Sequence, residues 1–134
     1  IGIDPLLRGP ILAALDAMGH GDLLVIADAN FPAHRISDRV IDVQCADAPT
    51  VLRAVATVFP VDAEATITLM ASPDGRLPVQ NELVSSVGRE GTESTVTELS
   101  RFDFYDEAGE AYLVLMTGES RAYGNLIVRK GVVV

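Results

Sequence analysis

The chain has little of what metal sites, disulfides and stacking surfaces are built from. It has no tryptophan and only 5% aromatic residues, which argues against a broad platform for stacking bases or oligosaccharides. Its single cysteine, Cys45, cannot form a disulfide within the chain, and one cysteine with two histidines is too few for a Cys/His zinc cluster. We therefore expect chemistry without a metal or cofactor, in a reducing, cytoplasmic compartment.

Basic residues and long apolar runs are also scarce. Ten Lys and Arg residues against 19 Asp and Glu give a net charge of −9, which disfavours nucleic acids and anionic membranes as partners. The longest apolar runs, residues 23–27 and 111–116, are too short to span a membrane and suit buried strands. Asp4 and Pro5 stand where a secretory signal peptide would have a basic and then an apolar stretch. We expect no nucleic acid, no membrane and no secretion.

The chain does have enough apolar residues for one well-packed domain over residues 1–134, because 49% of them are hydrophobic. Helical spacing predicts helices over residues 10–18, 47–59, 79–89 and 102–108. Apolar runs and alternation predict strands over residues 23–28, 40–43, 65–71, 95–99, 111–117 and 126–134, with a loop over 72–78. Alternating strands and helices predict a three-layer α/β/α domain with a mainly parallel or mixed central sheet.

Polar residues flank the first predicted strand. His20 lies between two glycines, where the backbone can approach a ligand closely, and an imidazole can donate or accept a proton near neutral pH. Asp28 closes the strand and could accept hydrogen bonds from sugar hydroxyls or orient the imidazole. Ordinary structural roles stay open: a histidine after a helix often contacts its last carbonyls, and a strand-end aspartate often caps a turn. His34 is interpreted as a surface residue.

A second polar cluster covers residues 100–107. The guanidinium of Arg101 is suited to bidentate recognition of oxygen atoms, while Phe104 and Tyr105 could supply an apolar wall and a hydroxyl. The alternative is that Arg101 pairs with one of the acids of this segment and the aromatic rings fill the core.

A third cluster is the step Tyr123-Gly124-Asn125 before the last strand. The amide of Asn125 has both donors and acceptors for sugar hydroxyls. Gly-Asn is equally a common turn pair, so an ordinary turn stays open as well.

Several enzyme classes are excluded by their missing motifs. The G-x-G of residues 19–21 precedes a strand, whereas a dinucleotide fingerprint follows one and opens a helix. No phosphate-binding loop and no G-x-S-x-G nucleophile motif occur. Dehydrogenase, NTPase and serine hydrolase functions are therefore not expected.

Taken together, four segments give the chain a resemblance to a known family. They are MGHGD (18–22), DANFPAH (28–34), RFDFY (101–105) and TGESRAYGNLIVRKG (117–131). In this order and spacing the chain resembles, over nearly its whole length, the sugar mutarotases that comprise L-fucose mutarotase and D-ribose pyranase. The segment DANFPAH, Arg101 beside its aromatic run, and the Tyr-Gly-Asn step bring it closer to the fucose branch.

The resemblance implies a monosaccharide substrate, interconverted between its α and β anomers by acid–base ring opening. It also implies a ring-shaped homo-oligomer, built from pentamers or a decamer, with each site near a subunit contact. We expect the site groups to share one pocket. The residue roles implied are His20 as proton donor, Asp28, Arg101, Tyr123 and Asn125 as sugar-binding side chains, Gly124 as a backbone contact, and Tyr105 nearby with its role open.

Two other functions stay open. Ribose-type interconversion of pyranose and furanose rings uses the same acid–base chemistry, so only the shape of the pocket separates it from anomer exchange. A sugar-binding accessory protein without catalysis would need the carboxylate, guanidinium and amide but not the imidazole of His20.

Overall fold

A computed structural model of the chain describes residues 2–62, 66–88 and 95–132. Within these residues helices and strands alternate up to the last two strands, which follow each other without a helix between them. The helices are α1 Gly9–Ala17, α2 Ala33–Ile36, α3 Ala48–Ala56, α4 Pro78–Ser86 and α5 Arg101–Gly109. The strands are β1 Leu23–Ala27, β2 Val40–Val43, β3 Ile67–Met70, β4 Val96–Leu99, β5 Leu113–Thr117 and β6 Leu126–Arg129.

The six strands form one mixed sheet in the order β2-β5-β1-β6-β3-β4. β1 pairs in parallel with β5, which pairs in parallel with β2, and β3 pairs in parallel with β4. β6 lies between β1 and β3 and is antiparallel to both. The chain from β5 to β6 is too short for a parallel crossover, which needs a dozen or more residues, so β6 must run back from the end at which β5 stops.

Helices cover both faces of the sheet, which confirms the three-layer α/β/α prediction. One core packs α1, α3 and α4 against alternate residues of the strands, including Leu24 and Ile26 of β1. A smaller core on the other face packs α2 and α5 against the intervening residues, including Val25 and Ala27. β1 is therefore buried on both faces, as its continuous apolar run predicts.

The predicted helices and strands occur with small shifts at their ends. α3 begins where Asp47 caps it, accepting a hydrogen bond from the backbone N–H of Thr50 at 3.0 Å. The strand predicted over residues 126–134 ends at Arg129, after which Lys130 forms an isolated bridge with Val61. The short helix α2 was not predicted, because four residues are too few to display a helical repeat. Parts of the predicted segments 65–71, 79–89 and 126–134 lie outside the described residues.

Each of these helices spans nine residues or fewer. In the part of the chain that the structure describes, none is long and apolar enough to cross a membrane.

Candidate active site

The loop between β5 and β6, residues 118–125, passes over the carboxyl end of β1 because β1 lies between those two strands. We call it the crossing loop. It brings Asn125 against Asp28, the residue that follows β1. The amide oxygen of Asn125 accepts the backbone N–H of Asp28 at 2.7 Å, and its amide nitrogen donates to the Asp28 carboxylate at 3.1 Å. The strand order thus brings together two residues that are 97 positions apart in the chain.

Asp28 is a buried carboxylate, with 5% of its surface exposed. Burial raises its pKa above the usual value, although hydrogen bonds from the backbone of Asn30 and the side chain of Asn125 act to lower it. A carboxylate with a raised pKa is more basic than an exposed one. It is therefore a strong acceptor for hydroxyl groups.

A cavity of about 240 Å³ opens beside these two residues. This is below the range of roughly 300–1,000 Å³ for drug-sized ligands and suits a small polar molecule. Three other cavities, of about 310, 320 and 380 Å³, are larger, but the predicted clusters do not line them. The lining residues are Asp28, Asn30, Phe31, Met70, Arg101, Tyr105, Ala122, Tyr123 and Asn125.

One wall of the cavity is apolar. Phe31 packs edge-on against Tyr105, with ring centroids 5.5 Å apart, and Met70 ends β3 beside them. Phe104 does not line the cavity: it is fully buried and supports Phe31 from behind at 5.9 Å. The apolar wall for which the sequence suggested Phe104 is therefore formed by Phe31.

Arg101 is the first residue of α5 and lies at the rim of the cavity. Its guanidinium stacks over the ring of Phe102 at 4.9 Å. Among the described residues, no acid of its own segment forms an ion pair with it, so carboxylates of that segment do not occupy the guanidinium donors.

The Tyr-Gly-Asn step is more than an ordinary turn. Tyr123 has φ of 63°, in the left-handed region that a tyrosine rarely occupies. Such conformations persist where the surroundings enforce them, and they gather at functional sites. Gly124 is required because a Cβ would lie 2.8 Å from Cγ of Glu119 and 3.2 Å from the carbonyl oxygen of Arg121. This glycine lets the crossing loop pass close behind the cavity.

The crossing loop is supported by an ion pair to which sequence reasoning assigned no role, between the buried carboxylate of Glu119 and the exposed side chain of Arg121. Glu119 is 2% exposed, and its carboxylate accepts the backbone N–H of Arg121 at 3.1 Å and the guanidinium at 3.0 Å. Arg121 also reaches Glu82 of α4. Burial acts to raise the pKa of Glu119, but the hydrogen bonds and charge of Arg121 outweigh it and the pKa is lowered. The signal available in the sequence was an acid just past a buried strand.

His20 does not share this cavity. It lies in the segment of residues 18–22 between α1 and β1, which we call the His20 elbow. Its imidazole is 62% exposed, and its Nε2 atom lies 3.7 Å from a carboxylate oxygen of Asp62. The expectation that the imidazole meets the carboxylate, guanidinium and amide in one pocket is therefore wrong within a single chain.

The reason lies in the strand itself. His20 precedes β1 and Asp28 follows it, so the extended strand of five residues holds them at opposite ends of the sheet. Such a strand is roughly 16 Å long. The other predicted residues are at the cavity: Asp28, Arg101, Tyr105, Tyr123 and Asn125 line it and Gly124 lies behind it.

The side chains of the cavity do not resemble a metal site. In the described ranges, no group of three or more His, Cys, Asp or Glu side chains is arranged to hold a metal ion. The polar groups that line the cavity are a carboxylate, side-chain amides, a guanidinium and phenols. Such a set of hydrogen-bond donors and acceptors is suited to hydroxyl groups.

Comparison with known proteins identifies the family of the chain. The profile described as the RbsD / FucU transport protein family matches residues 1–133. The chain belongs to this family. It is 37% identical to the L-fucose mutarotase of Actinobacillus pleuropneumoniae serotype 5b (strain L20) over 137 residues, which cover 98% of the chain and 95% of that protein. It is 38% identical to the L-fucose mutarotase of Haemophilus influenzae (strain 86-028NP), with the same coverage.

Solved structures agree with this assignment. The fucose mutarotase of Streptococcus pneumoniae, solved in complex with L-fucose, is 32% identical with a TM-score of 0.89, and the match covers 98% of both chains. FucU from Bifidobacterium longum is 38% identical with a TM-score of 0.89 over 100% of both chains. The structure of Bacillus subtilis RbsD with D-ribose, 22% identical with a TM-score of 0.73 over 96% of this chain and 95% of that one, shares the fold.

Proposed function

We propose that this member of the RbsD/FucU family is a monosaccharide mutarotase that interconverts the α and β anomers of L-fucose or a related sugar. The observation that carries the proposal is the convergence of Asp28, Asn125 and Arg101 on a small cavity with one apolar wall. Relatives at 37–38% identity are named L-fucose mutarotase, which gives the substrate class.

The chemistry needs a proton donor, a proton acceptor and a firm hold on the hydroxyls. Protonation of the ring oxygen and loss of the anomeric hydroxyl proton open the hemiacetal. Rotation about the freed carbonyl carbon and reclosure then give the other anomer. Such a reaction is within reach of positioned acid–base catalysis, which supplies about 10²–10⁴-fold. Asp28 and Asn125 would hold hydroxyls, while the wall of Phe31 and Met70 would receive the methyl group of a 6-deoxy sugar.

His20 is proposed as the proton donor, delivered to the cavity by a second copy of the chain. An imidazole that is 62% exposed at the far end of the sheet is free to enter a neighbouring molecule. Apolar side chains stand exposed at both ends: Phe102 beside Arg101 at the cavity rim, and Val58 and Val132 near the His20 elbow. Two different surfaces that meet head to tail generate a ring when the rotation closes.

The oligomer expected from the family resemblance is a pentamer-based ring or a decamer, and a head-to-tail contact fits it. A cytoplasmic location is part of the same proposal. Its support is that Cys45 is the only cysteine and stands free on the surface.

A direct test is anomer-exchange NMR with L-fucose, D-galactose and D-ribose. We expect the protein to accelerate exchange of L-fucose most, because D-galactose differs from it in two ways: it carries a hydroxyl at C6, where the apolar wall would receive a methyl group, and its ring carbons have the opposite configuration. Faster pyranose–furanose exchange of D-ribose than anomer exchange of L-fucose would favour the pyranase alternative. Binding of a sugar without faster exchange of any of the three would favour the non-catalytic accessory protein.

Mixed oligomers test the origin of the proton donor. His20→Ala and Arg101→Ala variants, each impaired alone, are unfolded together and refolded as a mixture. If the imidazole comes from a second copy, about a quarter of the sites combine an intact cavity with an intact His20, since each half is drawn at random. Activity above the sum of the two separate variants supports the proposal, and a plain sum contradicts it. Wild-type protein that is unfolded and refolded in the same way is the control.

A further inference from the structure

Lys130 is the only lysine among 134 residues, beside nine arginines, and it is buried with 8% of its surface exposed. A buried ammonium is costly unless hydrogen-bonded, so its partners identify what it stabilises. Its Nζ atom donates to the carbonyl oxygens of Leu15 and Met18, both at 2.7 Å. These carbonyls belong to the carboxyl end of α1, where backbone acceptors need donors and a positive charge is favoured. Met18 is the first residue of the His20 elbow.

The backbone of Lys130 holds the other side of the elbow. Its carbonyl oxygen accepts the N–H of Gly21 at 2.9 Å, and its own N–H donates to the carbonyl of Asp22 at 2.8 Å. The neighbouring side chain adds a third contact, because the guanidinium of Arg129 donates to the carbonyl of Gly21 at 2.7 Å. Residues 129–130 therefore contact the backbone on both sides of His20, at Met18 before it and at Gly21 and Asp22 after it.

The elbow also closes on itself. The backbone N–H of Gly19 donates to the carboxylate of Asp22 at 2.7 Å, and the N–H of Asp22 donates to the carbonyl of Gly19 at 3.0 Å. Gly21 takes φ of 92°, which gives the sharp turn. A fixed backbone thus carries an exposed imidazole, as required of a group that must act in another molecule's cavity.

We propose that Arg129 and Lys130 are positioning residues that hold the His20 elbow for catalysis, an inference that rests on the proposed function. They do not touch the cavity at the other end of the sheet. Their loss should therefore lower the rate constant of anomer exchange while the affinity for sugar stays unchanged. If these residues only capped α1, their loss would lower the stability of the protein but would not lower the rate constant at unchanged affinity.

The test compares Lys130→Met and Arg129→Met with Arg39→Met. Arg39 is a matched control, because its guanidinium also donates to a backbone carbonyl, that of Tyr112 at 2.9 Å, at the same end of the sheet and away from the elbow. We expect kcat to fall about 10- to 100-fold for Lys130→Met, since small misplacements of a reacting group cost up to about 10² in rate. A fall of severalfold is expected for Arg129→Met, with KM unchanged in both and no change in either quantity for Arg39→Met.

A folded Lys130→Met protein with wild-type kcat would overturn the proposal, as would a rise in KM that accounts for the whole loss. If Lys130→Met does not fold, Arg129→Met decides, because its partly exposed side chain leaves only one hydrogen bond unmade, and wild-type kcat there overturns the proposal too.

A second readout does not depend on activity. With ¹⁵N-labelled histidine, Lys130→Met and Arg129→Met should shift or broaden the ring signals of His20 and leave those of His34 unchanged. Unchanged His20 signals would contradict the positioning role, whether or not the wild-type protein exchanges sugar. A wild-type protein that exchanges no sugar would overturn only the proposed function.

Discussion

The two ends of the central sheet differ in the kind of site that they carry. At the carboxyl end of β1, Asp28, Asn125 and Arg101 converge on a concave cavity, and the carboxylate is withdrawn from water. At the amino end of β1, a single exposed imidazole stands on a tightly bonded turn. The first end has a concave surface, and the second presents an exposed side chain.

Each end is braced by a charged side chain that is itself buried. Glu119 holds the crossing loop through Arg121 behind the cavity, and Lys130 holds the His20 elbow through backbone carbonyls. If the proposed function holds, binding depends on one end and proton transfer on the other. Variants at one end should change affinity, and variants at the other should change rate.

The largest effect is expected from His20→Ala. Loss of the proton donor should lower the rate of anomer exchange by about 10²–10⁴-fold, the usual contribution of general acid–base catalysis. The dissociation constant for sugar should change little, because the cavity is intact. Exchange NMR gives the rate and calorimetry the affinity, with His34→Ala, an exposed histidine of α2, as the control. Full activity in His20→Ala would remove the imidazole from the mechanism.

Asp28→Asn should weaken sugar binding next, by roughly 10- to 100-fold, because hydrogen bonds to a charged group contribute about 1.5–3 kcal/mol. The same variant should change the dependence of stability on pH. The pKa of Asp28 is raised in the folded state, so its contribution to stability is full below 3.8, the unfolded value, and is lost as pH rises through the folded pKa. The stability advantage of wild type over Asp28→Asn should shrink with rising pH.

Glu119→Gln should change the dependence of stability on pH in the opposite direction. The pKa of Glu119 is lowered on folding, so its stabilising contribution is present above the unfolded value and is lost as pH falls through the folded pKa. Urea denaturation at steps between acid and neutral pH measures both variants. Parallel pH trends for the two carboxylates would show that their surroundings are not as different as their partners indicate.

Two glycines allow the ends to be disturbed in the same way. A Cβ at Gly124 would meet Glu119 at 2.8 Å, and a Cβ at Gly131 would meet the Asp62 backbone at 3.0 Å. Each alanine variant should lose about 1–3 kcal/mol of stability through overpacking. Gly124→Ala should raise KM, whereas Gly131→Ala should lower kcat. Gly9→Ala, where a Cβ meets no atom within 4 Å, is the control and should keep both constants. Identical kinetic changes in the two variants would break the division between the ends.

The smallest effect is expected from Tyr123→Phe. It removes the phenol from the cavity rim but keeps the ring and leaves the backbone at φ of 63°. Affinity should fall severalfold, in line with about 0.5–1.5 kcal/mol for one neutral hydrogen bond, at unchanged thermal stability. Tyr112→Phe, at the other end of the sheet, serves as the control. Equal affinities for wild type and Tyr123→Phe would assign the tyrosine to loop conformation alone.

Much of the fold was predictable because its signals are local. The apolar run of β1 predicts a strand buried on both faces, and Asp47 before Pro49 marks the start of α3, as observed. The short connection after β5 accounts for the antiparallel direction of β6, but the position of β1 between β5 and β6 was not predicted. The four-residue helix α2 escaped because it completes little more than one turn.

The candidate site also has a part that was predictable from the sequence and a part that was not. Residue types and motif order identified Asp28, Arg101, Tyr123 and Asn125, and the structure brings all four to one cavity. Glu119 is visible in the sequence only as an acid just past a buried strand, which does not show that it anchors the crossing loop. Its role depends on Arg121 and on Glu82 of α4, which the chain reaches only after folding.

The sequence by itself determined which candidate groups are present: an imidazole between glycines, a strand-end carboxylate, a guanidinium and an amide, in an α/β chain with one lysine and one cysteine. Only the tertiary structure decided which of them meet. An extended strand fixes its two ends apart, so His20 and Asp28 cannot approach each other within one chain, whereas a loop that crosses over the strand end joins residues 97 positions apart.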